Sequence, residues 1–413
     1  MAMTGDNRLI KQARKFGIRW PFSGLIPLLI LAHFGHHLLT ALPIPLLPMI
    51  RSEFHLDYAQ AGLVVSAFSL SYGIGQLPAG WITDRVGSRV MLSLGIGGVA
   101  VVGLLLGLSH TYLLLMVFLV LMGLMGGGYH PGSAKMIYAS VAPDKRGRAL
   151  GFHMIGGSAS FFLAPIFAAA IAATWGWRGS FIGLAIPTLA FGIFLYVVLG
   201  RAGMKEEMRP ATVATGASSP VKGYLRRLVP LLVLVNLLQS ILSAVIAFVP
   251  LYLVDHFGLS QEAAAASIAL YYSAGLWASP LGGYLSDRLG MLTVILVAAF
   301  LAVPALYLLN LAPLGLGISA LLVVIGTLMY IYTPAAQAYV VKNSPERHRA
   351  TILGIYFFGN MEGAGVVTPL VGMLINRSGF FTAFTVASAV LLVVVLTCSL
   401  LLRSSRSASS PVV

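Results

Sequence analysis

Three histidines crowd into five residues of one apolar segment, His33-Phe34-Gly35-His36-His37, and Thr40 follows three residues later. On a helix, residues three and four apart are neighbours. His33, His37 and Thr40 then share one stripe, which is expected to face an aqueous cavity rather than lipid. Imidazole titrates near neutral pH and can donate, accept or ligate. The stripe could carry a proton, pair with a bound solute, ligate a metal, or simply bond a neighbouring helix. His33 and His37 have ligand-like spacing. No carboxylate or cysteine pattern accompanies them, and metal sites want a defined ligand set, so the sequence argues for no metal here.

Further polar groups interrupt other apolar runs. Gly126-Gly-Gly128-Tyr129-His130-Pro131-Gly132 leads to Lys135, and His153 lies on the next run. The small residues allow close packing, and Pro131 is expected to break the helix and leave backbone groups for a ligand. Lys135 could bind an anion or extend to the membrane interface. Glu362 is the one acid deep within a run. An ionisable group at such depth is a functional candidate by default. A carboxylate in low dielectric gains proton affinity unless a cation is paired with it, so Glu362 is expected to carry protons, with His33 and His153 as partners.

The elements that must position these groups are membrane helices. Hydrophobic residues make up 58% of the 413 and charged residues 9%, against about 25% charged in a soluble domain. Apolar runs of the ~20 residues that cross a bilayer recur along the chain. Expected spans are 22–51, 58–83, 89–109, 112–141, 147–174, 177–200, 225–256, 261–286, 290–310, 314–342, 348–375 and 379–402. The net charge of +14 does not point to nucleic acid, because the 26 Lys and Arg segregate. Only Arg51, Arg178 and Arg377 fall on one face and Lys135 well within a span; the rest lie in the N-terminal tail, the even-to-odd loops and the C-terminal tail, or at the span ends that adjoin them. That asymmetry places both termini in the cytoplasm of an inner-membrane protein. The single Cys398 excludes an internal disulfide.

The chain also repeats itself at an offset of 203 residues. Gly80, Asp84, Arg85 and Gly87 return as Gly283, Asp287, Arg288 and Gly290, and Tyr129 and Pro131 as Tyr332 and Pro334. The histidine stripe maps onto Asn236, Gln239, Ser240 and Ser243, and Tyr330 and Gln337 lie near the second Pro. Two bundles of six spans are expected, residues 1–200 and 225–413, joined by a cytoplasmic linker, 201–224, rich in Gly, Pro, Ser and Thr. In such repeats the solute site lies near the midplane. That gives an all-helical membrane protein, with His33, His37, Thr40, Tyr129, His130, Lys135, Asn236, Gln239, Tyr330 and Gln337 lining the cavity.

With its duplicated Gly-x-x-x-Asp-Arg-x-Gly loops, the first continuing to Arg89, the chain resembles the major facilitator superfamily over essentially its whole length. The resemblance implies a monomer that alternates access by rocking its halves, with spans one, four, seven and ten lining the cavity. It also implies that Gly80, Asp84, Arg85 and Arg89, with Asp287 and Arg288, latch the halves. Gly80 is expected to allow close helix approach and Gly87 a tight turn. His33-Phe34, Tyr129-His130-Pro131-Gly132, Arg146-Gly-Arg148 and Gly156-Gly157-Ser158 further resemble the fosmidomycin-resistance branch. That implies export of a small organic solute, anions included, in exchange for protons. Two departures set the chain apart from many drug exporters. Leu119 to Gly126 contains no arginine, and the fifth span carries Ala164-Pro165 where they often have Gly-Pro. Import of a carboxylate metabolite uses the same residues in reverse. A sensor built on a transporter scaffold is the rival from another class. No zinc-protease helix, nucleophile elbow or phosphate-cradling loop is present, so neither an enzyme nor a cofactor is expected.

Overall fold

A computed structural model describes residues 24–142, 145–201, 224–345 and 348–407, apart from the side chains of 349–351, 360–362 and 405–407. The basic N-terminal tail and nearly all of the expected linker lie outside the described residues, and so does the side chain of Glu362. Every regular element described is helical. Seven helices are long and apolar enough to cross a membrane among the described residues.

The first expected span is broken. Helix α1 runs Ile26–Thr40 and a short α2 runs Leu47–Phe54. Pro43 and Pro45 lie between them, where two missing N–H donors and two fixed φ angles prevent a continuous helix. Helix α3, Tyr58–Val86, and α4, Ser88–Gly107, follow. The fourth span is split into α5, Tyr112–Gly126, and α6, Tyr129–Ser140. The break falls at Gly127-Gly128, not at Pro131 as expected. Pro131 sits in the first turn of α6, where its missing N–H has no helical partner to lose. Helix α7 covers Arg146–Arg201. Then come α8, Tyr224–Phe257; α9, Gln261–Ser273; α10, Ala278–Leu289; α11, Met291–Leu308; α12, Leu316–Asn343; and α13, Arg349–Ser407.

Helices α7 and α13 each contain one non-helical residue, Gly176 at φ 65° and Gly379 at φ 75°. These glycines are 203 residues apart and turn each helix where the sequence places a boundary between two spans. His55 at φ 50° and Gly258 at φ 70° are another such pair, each ending a helix. Gly87 at φ 86° and Gly290 at φ 88° are a third. Left-handed backbone disfavours a Cβ, so the repeat is written into the turns as well as the apolar runs.

The chain divides into two compact units, Met1–Pro43 with Ser71–Thr212, and Ile44–Leu70 with Val213–Val413. Residues 44–70, from the first repeat, thus pack within the second unit. Arg51 Nη1 donates to Asp255 Oδ2 at 2.8 Å, and the Tyr58 hydroxyl donates to the same oxygen at 2.7 Å. The Arg51 guanidinium stands 4.3 Å from the Tyr58 ring centroid. Asn376 Oδ1 accepts from the Tyr58 N–H at 2.9 Å, and the Ser66 hydroxyl donates to the Gly365 carbonyl at 2.5 Å. A cleft of about 470 Å³ lies beside Arg51, His55 and Asp255, within the second unit.

Candidate functional site

Within the first unit, α1, α6 and α7 bring five histidines together. His33 stacks on His153 with ring centroids 4.2 Å apart, and His36 stacks on Tyr129 at the same distance. His130 meets His33 edge-on at 5.4 Å, and His37 lies 4.9 Å from His33 and 4.6 Å from Phe161. Glycine makes this packing possible. A Cβ at Gly157 would stand 2.6 Å from the His33 ring, and one at Gly95 would stand 2.9 Å from Tyr129 Cβ. The α1 stripe does not face open space: His33 is 1% exposed and His37 7%. The neighbouring helices of its own unit enclose it, which spacing along one helix could not reveal.

Hydrogen bonds separate the histidines into kinds. His36 is fully engaged, with Nδ1 2.8 Å from the Gly95 carbonyl and Nε2 2.9 Å from the Tyr72 hydroxyl. A carbonyl can only accept, so Nδ1 carries the proton and Nε2 accepts from the tyrosine. His33 Nδ1 donates to the His153 carbonyl at 2.8 Å, and His153 Nδ1 to the Leu29 carbonyl at 3.0 Å. The Nε2 atoms of His33, His130 and His153 and the Tyr129 hydroxyl are buried without a protein partner. Buried polar atoms are nearly always bonded to protein or to water, so these are the positions at which the site can hold water, a proton or a solute. Thr40 donates its hydroxyl proton to the His36 carbonyl at 3.3 Å and lies 3.1 Å from His37 Nδ1. Its proton is used, so His37 Nδ1 must be the donor in that pair. One nitrogen from each of His33, His37 and His130 lies within 4.8 Å of the other two.

The second unit repeats part of this arrangement with different chemistry. The Tyr332 hydroxyl donates to Gln239 Oε1 at 2.8 Å, and Gln239 Nε2 donates to Ser243 Oγ at 3.0 Å. Positions 239 and 332 correspond to His36 and Tyr129, so the same two positions pair in both units. Asn236, the counterpart of His33, has a buried Oδ1 without a partner. Tyr330 is half-buried and Gln337 exposed.

Lys135 reaches the signature loop rather than the histidines: its Nζ donates to Asp84 Oδ1 at 3.1 Å, with side chains 30% and 73% exposed. Arg85 stacks on Trp81 at 3.4 Å, and its repeat partner Arg288 on Tyr284 at 4.7 Å. Arg89 lies 3.8 Å from the Tyr196 ring and donates to the Tyr196 carbonyl at 2.9 Å. Asp287 is exposed. Gly87 makes the expected turn. Gly80 does not make the expected close approach, since a Cβ there would meet nothing within 4 Å. Close approaches occur at other glycines instead, among them Gly95, Gly127, Gly156, Gly157 and, in the second unit, Gly282.

Tyr72, His36 and Phe161 are site residues that spacing along α1 did not single out. The 203-residue offset does pair His36 with Gln239, but it left His36 outside the stripe of His33, His37 and Thr40. No sequence signal marks Tyr72, which lies on a different helix.

The family model described as Major Facilitator Superfamily matches residues 29–367 and 241–412. A Cupriavidus necator protein named "Probable sulfoacetate transporter SauU" is 28% identical over 396 residues, covering 88% of this chain and 90% of that one. "Multidrug resistance protein MdtG" of Escherichia coli is 27% identical over 384 residues, 88% of this chain and 91% of that one. An E. coli protein named "Probable L-galactonate transporter" is 33% identical over 148 residues, only 36% of this chain and 32% of its own. Among solved structures, a bacterial homologue of the human lysosomal transporter Spinster, inward-facing and occupied, has a TM-score of 0.73 at 17% identity, covering 94% of this chain and 98% of that one. A POT family transporter in complex with 5-aminolevulinic acid has a TM-score of 0.75 at 16% identity, covering 92% and 96%. At such identities the likeness bears on the fold alone.

Proposed function

This chain belongs to the major facilitator superfamily, and from that premise we propose that it is a secondary active transporter exchanging a small organic anion for protons across the inner membrane. The observation that supports the reading is the enclosed histidine cluster with three unpartnered Nε2 atoms. Such atoms are poised to take a proton or a donor from solute. His33 and His153 act as proton acceptors, and Glu362 on α13 is a further proton carrier. Gln239 and Asn236, the repeat counterparts of His36 and His33, are further candidates for hydrogen bonding to solute. An anion is favoured because a protonated imidazole pairs with it strongly in low dielectric. Two of the relatives, moreover, are named for sulfoacetate and L-galactonate.

Export is the first reading, on the likeness to MdtG. Import of an organic acid is the second, on the likeness to the two acid transporters. Purified protein in liposomes, given a panel of sulfonates, sugar acids and phosphonates under an imposed pH gradient, distinguishes them. Saturable movement of an anion against the proton gradient is the expected result. Movement with the gradient supports import. No flux of any anion by folded protein would overturn the anion reading.

The signature loop acts as a conformational latch, with Lys135 holding Asp84. Exposed ion pairs contribute about 0–1 kcal/mol, so Asp84→Asn and Lys135→Met should leave the melting temperature nearly unchanged. Each should slow transport several-fold, and the double variant no further than either alone, because both remove one contact. Additive effects in the double variant would show that the two residues act separately.

A further inference from the structure

We propose that His33, His37 and His130 form a binding site for one late first-row transition-metal cation, of the Zn²⁺, Co²⁺ or Ni²⁺ class. Spacing along α1 offered only two nitrogens, and the third arrives from α6. One nitrogen of each ring lies within 4.8 Å of the other two.

The tautomers suit ligation. His33 Nδ1 gives its proton to the His153 carbonyl at 2.8 Å. That leaves the Nε2 lone pair exposed in a buried site without a partner. His37 Nδ1 must donate to Thr40 Oγ1, because the threonine proton is engaged with the His36 carbonyl. Its Nε2 is therefore also a lone pair. His130 Nε2 is buried and unpartnered. Metal-bound histidines characteristically donate their other N–H to a carbonyl or other oxygen, which fixes the ring. Two of the three ligands already do so.

Distances set what the site can accept. Zinc–nitrogen bonds are about 2.0–2.1 Å, so opposite ligands across a metal stand roughly 4 Å apart and tetrahedral ones about 3.3 Å. Closing from 4.8 Å needs ring movements of about 1 Å. His37 and His130 can supply them, since neither Nε2 is held by a protein hydrogen bond given by the packing. His36 is excluded from the ligand set because both its nitrogens are taken. A site of imidazoles alone selects zinc, copper, nickel or cobalt over magnesium or calcium, which want oxygen. Three protein ligands also leave a position open for water or an anion.

A bound metal would occupy the same Nε2 lone pairs that the transport reading gives to protons, so metal and proton are alternative occupants of the cluster, and the test reads metal directly. Full-length protein, purified without a histidine tag and stripped with chelator, is titrated with Co²⁺ and followed by its visible absorption. Zn²⁺ competition and metal content per chain are measured alongside. We expect one Co²⁺ per chain, displaced by Zn²⁺, with affinity at least tenfold lower in His33→Ala and in His130→Ala. Thr40→Val should weaken binding about 10-fold through loss of the His37 partner, whereas Tyr72→Phe should leave it unchanged. Absence of a stoichiometric cobalt spectrum in the wild type, or a spectrum unaffected by both alanine variants, overturns the site. Anion flux in chelator-treated liposomes is scored separately. Flux with no metal binding removes this proposal and leaves the transport reading standing. Metal binding with no anion flux does the reverse.

Discussion

Gly127→Ala should leave little folded protein, while Gly80→Ala should be neutral or slightly stabilising. At Gly127 an added methyl would stand 2.6 Å from the Tyr72 carbonyl oxygen, 2.7 Å from the Gln76 nitrogen and 2.7 Å from the Gly75 carbonyl carbon. All three are backbone atoms of α3, so no side chain can rotate aside. Overpacking usually costs about 1–3 kcal/mol, and a clash with three backbone atoms of one helix belongs at or above the upper end. At Gly80 the methyl meets nothing within 4 Å, and glycine inside a helix is roughly 1 kcal/mol worse than alanine. Thermal unfolding in detergent, monitored by fluorescence-detected size exclusion, reads both. Equal behaviour of the two variants would mean that the α3–α5 approach is looser than described here.

The second large effect separates two histidines one turn apart. His36→Leu should cost about 1–3 kcal/mol, because it removes the bonds that His36 makes to the Gly95 carbonyl and the Tyr72 hydroxyl, at about 0.5–1.5 kcal/mol each. It also removes the stack on Tyr129. His36→Gln should recover much of that loss. Gln239 occupies the equivalent position in the second unit and bonds Tyr332 there, and a glutamine at 36 could bond the unpartnered Tyr129 hydroxyl in the same way. His33→Gln should behave in the opposite sense, with a stable fold and at least tenfold slower transport. Melting temperature and initial rate, measured on the same preparations, test the split. A His33 variant that melts as early as His36→Leu would make both residues structural.

The fold was legible because bilayer helices leave coarse signals. Apolar runs of the right length, segregated basic residues and the 203-residue offset were enough to place nearly every helix. What escaped was set by local backbone chemistry. Two prolines divide the first span after Thr40, and a glycine pair, not Pro131, divides the fourth. The site was half legible. His33, His37, His130 and His153 stood out because ionisable groups are scarce in apolar runs. Their division into bonded and unpartnered nitrogens could not be read, because it depends on carbonyls of Gly95, His153 and Leu29, which look the same in any residue. Lys135 was expected among cavity groups. Its long side chain reaches Asp84 near the end of α3 instead. Gly80 was expected at a close approach, whereas other glycines, Gly95, Gly127 and Gly157 among them, make such approaches.

The central claim is that solute movement and proton movement are one process centred on the buried histidines and Glu362. It is tested most directly by wild-type protein in liposomes carrying an internal pH dye, beside Glu362→Gln and His33→Gln. The account predicts a pH change in the wild type only when the transported anion is added, and its loss in a variant that still folds and still binds the anion. Anion movement in the wild type with no accompanying pH change would contradict it.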